Sequence, residues 1–214
     1  MPVPTESDPL DGSSGTLADL VFDRLADLII SGRLAQGEIL RDKDIAQWLA
    51  VSRTPVREAI NRLIHIGLVE SEPSRFTRVT KVDPNMIQKT FEFTGYMAGI
   101  SVRMAMANMD QAQTDQAIAL LDSMLEVSDV DDSDALYVRT RKFVGFMVRN
   151  SGNPVFVRAM RETAVAADRN LRHLRPQMRN AVERHGYYQQ LRLALIANDP
   201  DQAEDAMRKQ HRIH

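Results

Sequence analysis

The chain has 214 residues, of which 43% are hydrophobic and 26% charged, a composition typical of a globular protein with one large domain or two small ones. It contains no cysteine, which excludes disulfide bonds and thiolate metal ligands. The net charge is −2 at pH 7, so the chain is not a generally basic nucleic-acid coat, and any contact with DNA must come from a local basic surface.

The N-terminal stretch MPVPTESDPLDGSSG is rich in Pro, Ser, Asp and Gly. Residues 1–15 are therefore predicted to form a flexible tail, and they lack the basic start and apolar centre of a secretory signal. Nowhere is the chain apolar for long enough to span a bilayer. These features predict a cytoplasmic protein without a membrane partner.

Residues 16–82 carry the pattern of a winged helix-turn-helix domain, which is three helices followed by a β-hairpin. Apolar residues recur at helical spacing in three segments, and two short alternating segments follow them. Thr54 is a suitable N-cap for the third helix, with Pro55 in its first turn. The predicted elements are helices over residues 17–30, 42–50 and 55–66, and strands over residues 68–71 and 77–82.

Residues 83–214 show no convincing strand and read as an all-α bundle of six helices. Helix ends are marked by acidic, Gly and Pro-containing stretches. The predicted helices cover residues 85–108, 110–127, 133–150, 154–174, 177–197 and 200–212. The sequence thus predicts a mainly α protein with a DNA-binding domain over residues 16–82 and a helical domain over residues 83–214.

Two arginines stand out at the start of the third helix. Arg53 and Arg57 are four residues apart, so they share one face, and the opposite face is the apolar stripe that contains Val56, Ile60 and Leu63. An arginine can form two hydrogen bonds to the O6 and N7 atoms of guanine in the major groove. Such an arrangement on any one helix is more often a solvated face, but the turn, the capped helix and the hairpin together favour a recognition helix.

The stretch RDKDIAQWLAVSRTPVREAINRLIHIGLVESEP resembles the winged-helix signature of the GntR family of bacterial transcription regulators. With the helical bundle, the chain resembles the FadR-like branch, whose C-terminal domain is called FCD, over residues 17–212. The resemblance implies a homodimer on a palindromic double-stranded DNA operator, more often as a repressor, with effector binding and dimerisation in residues 83–214. The DNA-contacting residues expected are Lys43, Ser52, Arg53, Thr54, Arg57 and Arg75.

The wing departs from the family pattern at one position. Where the family usually has Arg-Gly at the wing tip, this chain has Arg75-Phe76. A glycine there serves a turn with positive φ, which a bulky aromatic residue adopts poorly. The sequence leaves two alternatives: the turn is built differently, or Phe76 makes a contact of its own.

Many FCD domains bind a divalent metal through one Asp and three His. In this chain the corresponding positions are Thr140, Val144, Tyr188 and Gln210, none of which is a usual ligand. The resemblance therefore implies that the metal site is absent and that no cofactor is needed. The four residues could line a pocket for a small organic effector, which could be anionic, or they could simply fill the core.

Two alternative hypotheses assign the protein to a functional class other than transcription regulators. One is a protein-interaction module, in which the winged helix serves for docking and the bundle no longer senses a ligand. The other is an enzyme, but the sequence has no nucleophile elbow, phosphate-binding loop, HExxH motif or carboxylate pair tied to a pocket. The sequence thus predicts a protein that is not an enzyme.

Overall fold

The computed structural model describes residues 15–129, 133–171 and 180–213, and these form two compact units. Residues 15–83 and 163–169 belong to the first unit, and the other described residues belong to the second. All of the predicted tail except Gly15 lies outside the described residues, as do the predicted helix boundaries at 174 and 177. None of the described helices combines the length and the apolar character that crossing a membrane requires.

The first unit has the predicted order of three helices and a hairpin. A capping box at Thr16 and Asp19 starts the first helix, because each residue's side chain accepts a hydrogen bond from the other's backbone N–H. The two strands are antiparallel, with Val69 opposite Val79 and Glu72 opposite Phe76. The elements are α1 (Leu17–Ile30), α2 (Asp42–Trp48), α3 (Arg53–His65), β1 (Val69–Glu72) and β2 (Phe76–Val79). The predicted winged helix-turn-helix is confirmed.

One apolar core joins the three helices and the two strands of residues 15–83. Each element contributes at least one side chain that is almost completely removed from water. Among them are Leu25 of α1, Ile45 of α2, Leu63 of α3, Val69 of β1 and Val79 of β2. Because this core takes up the apolar side of α3, the polar side of that helix is left at the surface.

Two predicted boundaries around the turn were wrong. Helix α3 begins at Arg53 with Ser52 as its N-cap, so Thr54 is not the cap. Pro55 is then the third helical residue, where its missing N–H still costs nothing because the first four N–H groups of a helix have no partner within it. Helix α2 ends at Trp48 rather than at residue 50, because Ala50 adopts a positive φ of 54°, which a right-handed helix cannot continue through.

The second unit is all-helical in its described residues, as predicted. Pro154 and Pro200 each open a helix, the position at which proline is best tolerated. The helices are α4 (Pro84–Met106), α5 (Gln111–Ser128), α6 (Ser133–Arg149), α7 (Pro154–Leu171), α8 (Ala181–Ile196) and α9 (Pro200–Gln210), with residues 163–169 of α7 grouped in the first unit. Their core contains the fully buried Val102, Leu121, Phe143, Leu191 and Met207.

Helix α4 makes a close approach to the end of α9 at Gly95. A Cβ atom on Gly95 would lie 2.4 Å from Cβ of His211 and 2.7 Å from Cδ1 of Ile213. Both of those side chains are buried, so neither can turn away without disturbing the core. Gly95 therefore permits the packing of α4 against the C-terminal end of the chain.

Gly95→Ala is expected to lower the free energy of unfolding by about 1–3 kcal/mol, because the added methyl group overfills a packed interface. Gly186→Ala is the matched control, since nothing lies within 4 Å of a Cβ atom at that position of α8. There the higher helix propensity of alanine is expected to raise stability by about 0.5–1 kcal/mol. Urea unfolding followed by circular dichroism measures both effects, and a Gly95→Ala variant as stable as Gly186→Ala would contradict this packing.

Candidate nucleic-acid interface

Helices α2 and α3 are joined by a tight turn over residues 49–52. The Val51 N–H donates to the carbonyl of Ala46, and the positive φ of Ala50 reverses the chain. As a result the N-terminal end of α3 lies at the surface, while Val56 one turn in is fully buried. Arg53 and Arg57 lie on the outward face, with 53% and 62% of their side-chain surfaces exposed.

An open groove of about 790 Å³ runs along this end of α3. Its walls come from the start of α2, from α3 and from the hairpin, which contributes Ser71, Ser74 and Thr77. Four cationic side chains line it against two acidic ones, although the whole chain carries a net charge of −2. The charged lining residues are Arg41, Lys43, Arg53, Arg57, Asp42 and Asp44. The local basic surface that the composition required for DNA binding is present here.

The structure brings together three of the six predicted DNA-contacting residues. Lys43, in the first turn of α2, lines the same groove as Arg53 and Arg57. Ser52 and Thr54 do not line it, but both are exposed at the front of α3. Neither hydroxyl group caps the helix, since no side-chain hydrogen bond is formed at the start of α3.

Arg75 does not line the groove either. It lies in the turn of the hairpin, with 70% of its side chain exposed and an ion pair of 2.5 Å to Glu72. The turn consists of residues 73–75, and the residue with a positive φ is Ser74, at 62°. Ser74 therefore takes the strained position that would have suited a glycine.

Phe76 is already part of β2, and its ring lies 4.1 Å from the guanidinium carbon of Arg78. Arg78 also forms an ion pair of 2.6 Å with Glu70 on β1. Both alternatives left open by the sequence therefore hold: the turn is built differently, and Phe76 makes a contact of its own. The aromatic residue supports the wing without entering the turn.

Asp42 is the polar residue of this surface that sequence reasoning missed. Arg53 Nη2 donates to both carboxylate oxygens of Asp42 at 2.9 and 2.8 Å, and Arg53 Nε lies 3.3 Å from Oδ2. Arg57 Nε donates to the same Oδ2 at 2.7 Å. Burial raises the pKa of the Asp42 carboxyl, but hydrogen bonds from Arg57 and Arg53 and their charges outweigh it, so the pKa lies below its usual value. Asp42 is therefore ionised at neutral pH and holds both arginines.

The four residues predicted to line an effector pocket lie on three helices of the second unit. Thr140 and Val144 are on α6, Tyr188 is on α8 and Gln210 is on α9. The Tyr188 hydroxyl is hydrogen-bonded to Thr140, and burial raises the pKa of Tyr188 although that bond and the charge of Arg184 lower it. Gln210 is 2% exposed, and its buried Oε1 has no hydrogen-bond partner within the described ranges.

Val144 is partly buried against the core. Thr140 and Tyr188 are thus brought together, whereas no hydrogen bond joins Gln210 Oε1 to them.

Across residues 15–129, 133–171 and 180–213, no group of three His, Asp or Glu side chains is placed to hold a metal ion.

A short helix, a tight turn and a second helix with exposed arginines, beside a two-stranded wing, define a winged-helix DNA-binding protein. The model for bacterial regulatory proteins of the gntR family matches residues 17–79, and the model for the FCD domain matches residues 90–211. The second match alone spans more than half of the chain. The chain therefore belongs to the GntR family, in its FCD-containing branch, and is a DNA-binding transcriptional regulator.

Curated relatives have matching descriptions. The chain is 29% identical, over 90% of its own length and 84% of the relative's, to a protein of Paenarthrobacter nicotinovorans called "Probable D-xylose utilization operon transcriptional repressor". It is 32% identical, over half of each chain, to the Nta operon transcriptional regulator of Aminobacter aminovorans. The solved structure of McbR/YncC from Escherichia coli has the same fold, with a TM-score of 0.70 and 21% identity over 93% of this chain and 95% of that one.

Proposed function

We propose that this regulator binds a palindromic operator as a dimer, acts as a repressor, and changes its DNA affinity when a small organic effector binds in the second unit. The observation that carries the proposal is the position of Arg53 and Arg57, exposed at the front of α3 in a groove with a cationic excess. From there Arg53 and Arg57 reach base edges in the major groove. The name of the Paenarthrobacter relative supports repression.

The remaining contacts position the protein on the duplex. Ser52 and Thr54, exposed beside the arginines, donate hydrogen bonds to phosphates, and Lys43 contacts the backbone or a base from the start of α2. Arg75 reaches the adjacent groove or phosphate from the tip of the wing. Such contacts give affinity with little sequence preference, so specificity depends on the two arginines of α3.

Dimerisation follows from the size of the reading surface. One recognition helix contacts only a few base pairs, too few to select one site in a genome, whereas a two-fold dimer doubles the site and makes it palindromic. Native mass spectrometry is expected to show two chains in the free protein and two chains on one duplex that holds an inverted repeat. A single chain bound per duplex would contradict the dimer.

The effector proposal is supported by polar groups buried among the helices of the second unit. Gln210 Oε1 is an unpaired acceptor at a site with 2% exposure, and leaving such an atom unsatisfied costs about 1–3 kcal/mol. A small molecule that donates a hydrogen bond to it would recover that cost. Thr140 and Tyr188 supply further hydroxyl groups and Val144 an apolar surface.

A panel of small organic acids and neutral polyols, screened by thermal unfolding, tests this site. We expect a compound that raises the melting temperature of the wild type and has little effect on Gln210→Leu, which keeps the side-chain volume and removes the acceptor. The same compound should change affinity for the selected duplex. An equal shift in both proteins would place the compound elsewhere, and the four residues would then act as core packing.

A further inference from the structure

The carboxylate of Asp42 accepts different hydrogen bonds from the two recognition arginines. Arg53 presents its Nε and Nη2 edge to Asp42, with Nη2 within 3 Å of both carboxylate oxygens. Arg57 uses Nε alone. Since a guanidinium has five N–H donors, Arg57 keeps both terminal nitrogens, with four N–H groups, unengaged by the described part of the chain.

This difference separates what each arginine can do when DNA arrives. Arg57 can present its terminal edge to guanine O6 and N7 while Asp42 still holds its Nε, so the reading geometry is set before contact. Of the two terminal nitrogens of Arg53, only Nη1 is unengaged, so a two-bond contact through both of them requires Nη2 to give up at least one of its bonds to Asp42. The guanidinium group of Arg57 is thus oriented for base contact before DNA binds, whereas that of Arg53 must first exchange part of its hydrogen bonding to Asp42.

The same carboxylate also reduces the general attraction of this surface for phosphate. One negative charge shared between two guanidinium groups balances half of their charge at the point nearest the DNA. A phosphate that approaches without the correct bases must compete with Asp42 for the arginines and is repelled by it. A guanine that presents two acceptors in the right plane can bond Arg57 without that competition.

We propose that Asp42 is a specificity-determining residue that holds Arg57 in its base-reading orientation and limits non-specific phosphate contacts by Arg53. This inference rests on the proposed reading of DNA by α3. Asp42 contacts no base itself. It acts through the arginines, so its loss should alter discrimination between sequences rather than affinity alone.

The test compares wild type, Asp42→Asn and Asp44→Asn on the duplex that the wild type selects from a random library and on a scrambled duplex, over a series of salt concentrations. Asp44→Asn is the matched control, because Asp44 lines the same groove and its removal changes the charge equally, yet its ion pair of 3.8 Å is with Arg41 and not with the recognition arginines. Thermal unfolding of each variant checks that the fold is retained.

Asp42→Asn is expected to bind the scrambled duplex several-fold more tightly, with a salt dependence steeper by about one phosphate contact for each chain of the dimer. Its ratio of specific to non-specific affinity should fall roughly tenfold for each half of the palindrome, the scale of one guanine contact. Asp44→Asn should bind both duplexes more tightly and keep the ratio. Asp42→Glu, which keeps the charge, should recover most of the discrimination.

A structural defect alone would weaken binding to both duplexes, which is the opposite of the expected gain on the scrambled one. Equal ratios for Asp42→Asn and Asp44→Asn, with a wild type that discriminates, would overturn this role of Asp42 and leave the proposed function intact. A wild type that prefers no sequence would overturn the proposed function and this role with it.

Discussion

Arg57→Ala is expected to weaken binding of the dimer to the selected duplex by about 2–6 kcal/mol, because each chain loses one two-bond contact to guanine and each such contact supplies about 1–3 kcal/mol of discrimination. Arg53→Ala is expected to have an effect of the same order. Both side chains are more than half exposed and contribute nothing to the core, so the fold should be unchanged. Fluorescence anisotropy with the selected and scrambled duplexes measures the affinities, and circular dichroism checks the fold.

Arg158→Ala provides the control for charge, since it removes the same side chain from an exposed position on α7. It should leave the preference for the selected duplex at the wild-type level. If Arg57→Ala weakened binding to the selected and scrambled duplexes by the same factor, Arg57 would be a phosphate contact and not a base reader. Such a result would leave DNA binding in place and remove Arg57 as one of the two assigned sources of specificity.

The stability of the protein is expected to fall by about 3 kcal/mol between pH 6.5 and pH 4 on account of one buried histidine. Burial lowers the pKa of His211 from 6.5 to about 4, although the backbone hydrogen bond to Met207 raises it slightly. Its Nδ1 lies 2.9 Å from the Met207 carbonyl, and its ring lies 4.7 Å from that of Phe91. The folded state therefore holds the imidazole neutral.

Stability falls with falling pH because the unfolded chain takes up a proton at His211 before the folded state does. Above pH 6.5 neither state binds a proton at His211, and the full stability is present. Between pH 6.5 and 4 the unfolded chain takes up a proton that the folded state does not, so stability falls as pH falls and levels off below about pH 4. Carboxyl groups also titrate there, so the effect is isolated as a difference between variants.

His211→Asn is the variant to compare with wild type, because the asparagine amide can occupy the place of Nδ1 without titrating. Urea unfolding from pH 7 to pH 4 should show the wild type losing about 3 kcal/mol more than this variant. Parallel profiles for the wild type and His211→Asn would show that the buried ring carries no such cost.

Much of the fold could be predicted because it depends on local patterns. The stripe of Val56, Ile60 and Leu63 predicts α3 and its buried side, and alternation predicts the hairpin. The start of α3 could not be chosen in this way, because Ser52 and Thr54 are both good cap residues and only backbone geometry decides between them. The turn of the wing was also undecided, since any of several residues could take the positive φ that Ser74 adopts.

Only part of the candidate site could be predicted from the sequence. Arg53 and Arg57 are found from their spacing along one helix, which is local information. The role of Asp42 could not be found in this way. Asp42 lies 11 and 15 residues before Arg53 and Arg57, and it comes close to them only because of the turn between α2 and α3. The same holds in the second unit, where the hydrogen bond between Thr140 on α6 and Tyr188 on α8 joins residues that are 48 positions apart in the chain.

Selection of duplexes from a random library, with the wild type and Arg53→Ala in parallel, tests the central claim most directly. If Arg53 and Arg57 read base edges from a two-fold dimer, the wild type enriches an inverted repeat with guanines at matching positions of the two halves, and Arg53→Ala does not enrich it. The same repeat enriched equally by both proteins would contradict the assignment of Arg53 as a reader. No enrichment by the wild type, in moderate salt, would contradict sequence-specific binding by the free protein.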